Sequence, residues 1–444
     1  MGYHLGVKRA YLLALVILVG ASCTRRVRSD PELLNKHPDV RSVVLANQAF
    51  GFELHAVLPA QGNLLFSPAS IHTALAMTYA GARGETAAEM SKALHLSLPD
   101  QRLHPAFGDL TAALNVVPTD DRGVPRYTLA VANALWGQKD FSFKPEFINL
   151  LHRTYGAGFK TLDFFGATED ARRTINRWVA KRTADRIKEL IPRDELNGDT
   201  RLVLTNAVYF KSTWDRPFAR KETTDQPFHL EEGGSVTVPM MARQHDFRYL
   251  EEWGLQLVEL PYSGGELSVI VILPPAADSV SAVEHELRSE RFDGWMSHLK
   301  PTPVRVYLPR FSFRSQLRLK TSLARLGMAL AFDDHQADFS AMHDFRPGEE
   351  PLYIWDVIHE AFVAVDEEGT EATAASAVQV RQWVAAAEPS EPKVFRADRP
   401  FLFVIRHNLT GEILVFQPDL AQAYHQVQRL RASAFQPGQR RWLC

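Results

Sequence analysis

The sequence predicts a single α+β domain in which helices cover one large β-sheet. Residues 127–136 and 202–210 are strongly apolar on both alternating faces, as strands are in the middle of a sheet buried on both sides. Residues 39–58 instead repeat their apolar positions at helical spacing. No Gly/Ser linker, low-complexity tract or internal repeat divides the 444 residues, and their 45% hydrophobic and 23% charged content is ordinary for a globular protein. The formal charge of −2 gives no reason to expect a nucleic-acid partner.

The N-terminus is predicted to be a signal peptide covering residues 1–22. Two basic residues, Lys8 and Arg9, precede an apolar run at 11–19, and three small residues follow it. The run is too short to span a bilayer as a mature helix. Residues 23–37 are then expected to form a tether, and the protein is expected to be extracytoplasmic, either secreted or held at a membrane.

Cys23 directly follows the three small residues, an arrangement that resembles the box of a bacterial lipoprotein. This resemblance implies a lipid on Cys23, although Gly20 stands where leucine is usual. The alternative is ordinary cleavage after Ser22, which would leave Cys23 free or paired. The other cysteine is Cys444, so no disulfide framework is expected and the core must hold the domain together.

The elements between the first helix and the last strands follow from periodicity and from cap residues. Residues 67–81 should form a helix that begins with a Ser-Pro pair, because serine caps free amides and proline suits the first turn. Helical spacing of apolar residues also predicts a helix over 168–190. Residues 257–273 and 304–313 are again strand-rich.

Residues 358–376 are the most informative part of the sequence. They begin as a strand with alternating apolar positions at Phe362 and Ala364 and continue into two acids, a glycine and a series of very small residues. Neither proline nor glycine occurs from 370 to 387, and nothing before Val378 is bulky enough to anchor a core. Such a segment suits an exposed loop, yet it also suits a strand buried on both faces. We therefore interpret it as a candidate conformational switch.

Several blocks of the sequence occur in the order of one known family. They include NLLFSPASI at 63–71, GARGET at 81–86, LTNAVYFK at 204–211, ADFS at 337–340 and FRADRPF at 395–401. A further block, the hinge, comprises Glu367, Glu368, Gly369, Thr370, Glu371, Ala372, Thr373, Ala374 and Ala375. Over residues 38–416 these blocks resemble the serpin family, and the hinge is similar to the proximal hinge of the serpin reactive-centre loop. Any one block could arise by chance, whereas all of them in order form a strong signal.

The resemblance implies the serpin fold, with a large central mixed sheet, further sheets, about eight or nine covering helices and an exposed reactive-centre loop. The domain would span residues 38–419 and the loop about 367–394, followed by a tail of unknown structure at 420–444. The helix predicted over 168–190 would lie across the central sheet. The chain departs from the family at Val415-Phe416-Gln417-Pro418, where Phe-x-Gly-Arg is usual. Proline cannot donate to a sheet ladder, so the last strand should end early.

The resemblance also implies an irreversible suicide-substrate inhibitor of a serine protease, with a cysteine protease as the other target class. The protease would cleave the loop, remain attached as an acyl ester and be trapped as the loop inserts into the central sheet. Insertion should bury one face of the hinge beneath the covering helix. That face comprises Thr370, Ala372, Ala374 and Ser376, none of them large or charged, and Glu371 lies on the other face. The alternative is a non-inhibitory serpin acting as a binding or carrier protein.

The position of the reactive bond stays open between several candidates. Family spacing, counted fourteen residues on from Gly369, gives Trp383–Val384, whose aromatic side chain would suit a chymotrypsin-like protease. Counting backwards from Pro400 moves the bond towards a run of alanines, which would suit an elastase-like protease, and an arginine would suit a trypsin-like one. These alternatives are Arg381, Ala385, Ala386 and Ala387. We favour Trp383.

Five residues match positions that control opening of the central sheet in serpins. Ser67, Ser70, Asn206 and His359 match the polar cluster of the shutter, where the strands part. Trp214 matches the aromatic residue at the top of the sheet, the breach, where the loop first enters. A polar asparagine in an apolar strand demands hydrogen-bond partners in any case.

No catalytic residue, metal site or cofactor is expected. The sequence has no G-x-S-x-G elbow and no Walker loop, and His359-Glu360 lacks the second histidine of an H-E-x-x-H motif. We therefore expect a monomeric protease inhibitor rather than an enzyme.

Overall fold

The computed structural model describes residues 37–59, 64–120, 122–156, 158–231, 233–276, 279–344, 352–370 and 391–417. The helices are α1 Pro38–Val57, α2 Pro68–Tyr79, α3 Gly84–Ala93, α4 Asp100–Leu114, α5 Pro145–Tyr155, α6 Thr168–Arg182, α7 Val280–Glu286, α8 Ser289–His298 and α9 Lys320–Arg325. The strands are β1 Tyr127–Gln138, β2 Gly158–Leu162, β3 Leu202–Thr213, β4 Thr224–His229, β5 Ser235–Glu252, β6 Leu255–Pro261, β7 Leu267–Leu273, β8 Lys300–Pro309, β9 Phe311–Arg318, β10 Asp356–Val365, β11 Gly369–Thr370, β12 Lys393–Arg396, β13 Leu402–His407 and β14 Ile413–Gln417. Among the described residues, no helix is long and apolar enough to cross a bilayer. The predicted signal peptide and the tail at 420–444 lie outside the described residues.

The central sheet has six strands in the order β2-β1-β3-β11-β10-β9. It is mixed, because β1 and β3 are antiparallel whereas β3 and β10 run parallel. Every residue of β3 from Leu202 to Phe210 is buried. The largely apolar run in the sequence thus corresponds to a strand in the middle of a sheet that is covered on both faces.

The second sheet has eight strands and packs against one face of the central sheet. Its order is β12-β8-β5-β6-β7-β13-β14, with β4 paired to β5. The two sheets share a hydrophobic core, in which Val269, Val271 and Phe403 of the second sheet cluster with Phe210 and Ala361 of the central one. β14 covers Ile413–Gln417, and Pro418 lies outside the described residues.

The helix α6 covers the other face of the central sheet. Its residues Ala171, Ile175 and Val179 cluster with Ala134 of β1 and Ala207 of β3. Alternate residues of β3 therefore face either α6 or the second sheet, because successive side chains of a strand point to opposite faces.

The first two helices lie where the sequence predicts them. α1 covers Pro38–Val57 and α2 covers Pro68–Tyr79. Ser67 caps α2, since its Oγ accepts the backbone N–H of Ser70 at 3.2 Å. The capping serine and the proline at the first position thus mark the start of the helix as expected.

The prediction of a helix over 168–190 is wrong at its C-terminal end, because α6 ends at Arg182. Ala184 and Asp185 have φ of 49° and 60°, values outside the right-handed helical region. Ile187 and Leu190 are nevertheless fully buried. Their spacing of three residues therefore reflects burial in an irregular segment, because two apolar residues at this spacing can both be buried without forming a helix.

Candidate functional site: the hinge and the polar cluster of the central sheet

The hinge begins as a tight turn at the end of β10. Asp366 donates its backbone N–H to the carbonyl of Gly369 at 2.8 Å. Its carboxylate Oδ1 accepts the backbone N–H groups of Glu368 and Gly369 at 2.9 and 3.1 Å. The turn places Gly369 and Thr370 as strand β11 between β10 and β3.

Strand β11 separates β3 from β10 at one end only. Thr370 pairs with Ser212 of β3 and with Val365 of β10. Beyond this point β3 and β10 pair directly, residues 203–209 with residues 356–362. A strand that extended β11 would have to part these direct pairs.

Gly369 lies so close to β3 that no side chain fits there. A Cβ atom on Gly369 would stand 2.1 Å from the carbonyl oxygen of Ser212 and 2.6 Å from Cα of Thr213. Both neighbours are backbone atoms of a central strand, which cannot move aside as a flexible side chain could. The close approach of the hinge to β3 therefore requires glycine at this position.

Thr370 is completely buried and faces the second sheet. Its Oγ1 is hydrogen-bonded to the hydroxyl of Tyr262 at 2.6 Å, and Tyr262 follows β6. The sequence-based expectation that this face lies beneath the covering helix is therefore wrong for Thr370. The side chain points to the opposite side of the sheet from α6, because it shares the face of its pair partner Ser212.

Trp214 and Tyr262 together hold the start of the hinge. Their rings are stacked, with centroids 4.7 Å apart and an interplanar angle of 3°. Trp214 Nε1 donates to the carbonyl of Asp366 at 2.9 Å, and its backbone N–H donates to the carbonyl of Glu368 at 2.9 Å. The indole is almost fully buried, at 3% exposure, so the stacked rings of Trp214 and Tyr262 lie beneath the start of the hinge.

The two acids of the hinge are tied to the second sheet and its connections. Thr223 donates its hydroxyl to Glu367 Oε1 at 2.8 Å, and Arg310 Nη1 lies 3.8 Å from Glu367 Oε2. Glu368 pairs with Arg220 at 3.4 Å. These contacts fix the residues that precede β11.

A polar cluster formed by Ser67, Ser70, Asn133, Asn206 and His359 lies in the directly paired part of β3 and β10. Asn206 Nδ2 donates to Ser70 Oγ at 2.6 Å and to Asn133 Oδ1 at 2.5 Å, and its Oδ1 accepts from His359 Nδ1. Ser70 Oγ donates to Asn133 Oδ1 at 3.0 Å, and Asn133 Nδ2 donates to the carbonyl of Ser70 at 3.1 Å. The polar cluster thus joins β1, β3, β10 and the start of α2.

His359 is completely buried and is held in its neutral form. Its Nδ1 donates to the amide oxygen of Asn206, and its Nε2 accepts the backbone N–H of Ser67 at 3.2 Å. Burial lowers the pKa of His359 to about 3. Protonation would give Nε2 a hydrogen that points at the N–H of Ser67, so two donors would face each other.

Comparison with known proteins identifies the family that shares this arrangement. A sequence model of the serpin (serine protease inhibitor) family matches residues 45–417, which include β3, β10, the hinge and the polar cluster. The chain belongs to the serpin family. This serpin is 40% identical over 361 residues to a leukocyte elastase inhibitor of Xenopus laevis, covering 80% of this chain and 92% of the relative. It is 39% identical over 381 residues to the leukocyte elastase inhibitor of Homo sapiens, covering 83% and 96%.

Solved structures of serpins share the fold of this serpin. Uncleaved ovalbumin matches with a TM-score of 0.74 at 26% identity, over 86% of this chain and 99% of that one. The thermophilic serpin tengpin in its native state matches with a TM-score of 0.74 at 28% identity, over 84% and 92%. Human thyroxine-binding globulin matches with a TM-score of 0.76 at 25% identity, over 87% and 99%. The expected α+β serpin fold is thereby confirmed.

The structure brings together the four residues that the sequence assigns to the shutter of this serpin. It also places Trp214 against the hinge, as described above. The sequence analysis missed Asn133 and Tyr262. The remaining predicted site residues lie outside the described residues, namely Cys23, Glu371, Ala372, Thr373, Ala374, Ala375, Ser376, Arg381, Trp383, Val384, Ala385, Ala386 and Ala387. In the described part of the chain, no group of three or more His, Cys, Asp or Glu residues could hold a metal ion.

The stability of this serpin is expected to fall as the pH is lowered from about 6.5 to 5. The folded protein keeps His359 neutral down to a pKa of about 3, whereas the unfolded chain binds a proton at a pKa of roughly 6.5. The unfolded state therefore gains protons first, and at pH 5 the free energy of unfolding should be about 2 kcal/mol lower on account of His359 alone.

Other buried histidines also lower the free energy of unfolding as the pH falls. The part due to His359 must therefore be obtained by comparing the parent with a variant that lacks this histidine. Burial also lowers the pKa of His72 and, in the main, that of His407, each to about 4. Urea unfolding midpoints of the parent and of His359→Gln, compared at pH 7 and pH 5, isolate the part due to His359. Equal losses in both proteins would contradict the assignment.

Proposed function

We propose that this serpin irreversibly inhibits a serine protease by acting as its suicide substrate. The observation that carries the proposal is strand β11, in which Gly369 and Thr370 of the hinge already lie between β3 and β10. The leukocyte elastase inhibitors that this chain resembles are named for the inhibition of a protease, which supports the same function here.

The register of β11 indicates how the rest of the hinge would fit. Thr370 is antiparallel to β3 and lies opposite Ser212. Continuing this register places Ala372 opposite Phe210, Ala374 opposite Val208 and Ser376 opposite Asn206. The small side chains of Ala372 and Ala374 would thus lie next to bulky neighbours on the buried face. The polar side chain of Ser376 would lie next to the polar cluster. Cross-strand neighbours of this kind pack without voids or unpaired polar groups.

The chemistry follows the acyl-transfer scheme of a serine protease. The protease serine attacks the carbonyl carbon of the reactive bond, its oxygen forms the acyl ester, and the amine of the next residue leaves with the proton from the serine. Cleavage frees the N-terminal part of the loop to extend β11, which carries the attached protease away from the hinge. For this step β3 and β10 must separate, and the hydrogen bond between the side chains of Asn206 and His359 must break.

The target class rests on the residue before the reactive bond. Trp383 would suit a chymotrypsin-like protease, whereas Ala385, Ala386 or Ala387 would suit an elastase-like one. The names of the relatives favour an elastase-like target, and the spacing from Gly369 favours Trp383. We keep both classes and place Arg381, with a trypsin-like target, behind them.

A binding or carrier function is the second candidate, and a cavity of about 780 Å³ favours it. The cavity lies between the C-terminal half of α1 and helices α7 and α8, and Phe52, Leu58 and Val280 line it. His55 and Glu284 pair beside it at 3.4 Å. Polar and charged side chains, among them Glu53, His95 and Arg288, line the cavity together with the apolar ones, so a small molecule with polar groups would suit it better than a wholly apolar one.

The experiment that separates the two functions is incubation with chymotrypsin, pancreatic elastase and trypsin, each alone. Inhibition predicts a complex that survives denaturing electrophoresis, and the mass of the released peptide then identifies the reactive bond. Cleavage of the loop without any such complex, at every ratio of protease to serpin, would instead favour the carrier function.

We further propose that residues 1–22 are removed and that Cys23 carries a lipid, so that the protein acts outside the cytoplasm. The small residues before Cys23 support this proposal. Mass spectrometry of the mature N-terminus decides it, because an unmodified Cys23 would exclude membrane anchoring through this residue.

A further inference from the structure

The hairpin between β5 and β6 ends in an exposed tryptophan held in a strained conformation. Glu252 pairs with Leu255, so Trp253 and Gly254 alone form the turn. Their φ angles are 53° and 82°. Two-residue hairpin turns with positive φ at both positions are dominated by Asn-Gly and similar pairs, and a bulky residue there is an outlier.

Trp253 also exposes more of its surface than the other large apolar residues in the described part of the chain. It is 93% exposed, compared with 76% for Phe165 and 51% for Val394. A fully exposed indole contributes nothing to the core, and asparagine would relieve the strain of the turn. Backbone strain and apolar exposure at one residue are typical of a position kept for function.

The turn stands beside the strand that follows the reactive-centre loop. Glu251, two residues before Trp253, pairs with Lys393 of β12 at 3.1 Å. On the other side of the turn, Gln256 Nε2 donates to the carbonyl of Val394 at 3.1 Å. Val394 is half exposed. We name Trp253 and Val394, on either side of these contacts, the hairpin surface.

Chain geometry keeps the reactive bond near the hairpin surface. Val384 lies seven positions before Glu391 in the sequence, which limits the distance between them to about 25 Å. A protease domain of roughly 230 residues has a radius of about 20 Å. A protease bound at the reactive bond can therefore extend over the start of β12 as far as the turn that carries Trp253.

We propose that the hairpin surface is an accessory docking site for the protease that attacks the loop, with Trp253 as its main contact. This inference rests on the proposed inhibitory function and adds a determinant of target choice outside the loop. Tryptophan is suited to this role because its large, rigid side chain loses little conformational entropy on binding and is enriched among residues that dominate interfaces. Docking there would strengthen the first, reversible complex without affecting loop insertion.

The test uses Trp253→Asn, because asparagine accepts the left-handed conformation and should not lower the stability. The matched control is Phe165→Ala, which removes an exposed aromatic residue three positions after β2, an edge strand of the central sheet. The rate constant of association is measured with chymotrypsin and with pancreatic elastase, using each enzyme that forms a stable complex with the parent. Trp253→Asn should lower the association rate constant about tenfold and leave the stoichiometry of inhibition and the limiting rate at saturating serpin unchanged. Phe165→Ala should change neither the association rate constant, nor the stoichiometry, nor the limiting rate.

Other outcomes would overturn the inference. Equal association rates for the parent and Trp253→Asn would do so, as would a changed stoichiometry, which would place Trp253 in loop insertion. An unchanged rate together with loss of a dimer on gel filtration, or loss of binding to anionic phospholipid vesicles, would assign the surface to a second copy or to a membrane. If the parent forms no complex with any protease, the proposed inhibitory function is wrong. This outcome is distinct from failure of the docking proposal, because it is seen with the parent before any variant is compared.

Discussion

Replacing Thr370 with arginine is expected to convert this serpin from an inhibitor into a substrate of its target protease. Thr370 is completely buried and bonded to Tyr262, so a guanidinium in its place would lack a partner in the core. Leaving a charge buried and unpaired costs roughly 3–5 kcal/mol. Insertion of the hinge would be opposed by that amount, and the acyl ester would hydrolyse before the protease is trapped.

The measurement is the yield of denaturation-resistant complex at a fixed ratio of protease to serpin. Thr370→Arg should lower this yield at least tenfold, while cleavage of the loop continues at a similar rate. Thr370→Ser is the control, since it keeps the hydroxyl that bonds Tyr262 and should trap the protease as the parent does. A full yield of complex from Thr370→Arg would show that trapping of the protease does not require a small, uncharged residue at this position of the sheet.

Replacing Asn206 with alanine is expected to lower the free energy of unfolding by about 3 kcal/mol or more. The change leaves the buried His359 Nδ1 without its partner and removes one of the hydrogen bonds of Ser70 Oγ and of Asn133 Oδ1, which stay bonded to each other. Each lost hydrogen bond costs about 0.5–1.5 kcal/mol. A buried group left without its partner costs about 1–3 kcal/mol. The loss should also ease separation of β3 from β10, because the bond between Asn206 and His359 crosses these two strands.

Urea unfolding at pH 7 measures the loss of stability, and the rate of polymer formation on mild heating reports the easier separation of the strands. Asn149→Ala on the exposed side of α5 is the matched control and should change the stability by no more than about 0.5 kcal/mol. A loss below about 1 kcal/mol for Asn206→Ala would mean that water replaces the amide, and the polar cluster would then not hold the two strands together.

Much of the central sheet could be predicted from the sequence because its strands are unusual. A run such as Leu202–Phe210 has few explanations other than a strand buried on both faces. The resemblance then supplied Ser67, Ser70, Asn206 and His359, which the structure places within hydrogen-bonding distance of one another. Their control of sheet opening stays a prediction, which the Asn206 variant tests.

Other residues of the site escaped the sequence analysis for physical reasons. Asn133 could have been found by the argument applied to Asn206, since it too is a polar residue in an apolar strand. Tyr262 could not, because its stacking on Trp214 joins residues that only the tertiary fold brings together. Strand periodicity likewise predicts which residues share the face of Thr370, but it could not show that Thr370 itself points towards the second sheet.

The tight turn at Asp366 has a consequence for the speed and accuracy of insertion. Because the carboxylate and backbone of Asp366 close the turn within three residues, the entropy lost in joining the ends of a long loop is absent from the first step. Under the proposed function, insertion is then the lengthening of a hairpin whose nucleus exists before cleavage. A slip of one residue would turn Glu371 inwards and Thr370 outwards, and the turn prevents this slip before the protease arrives.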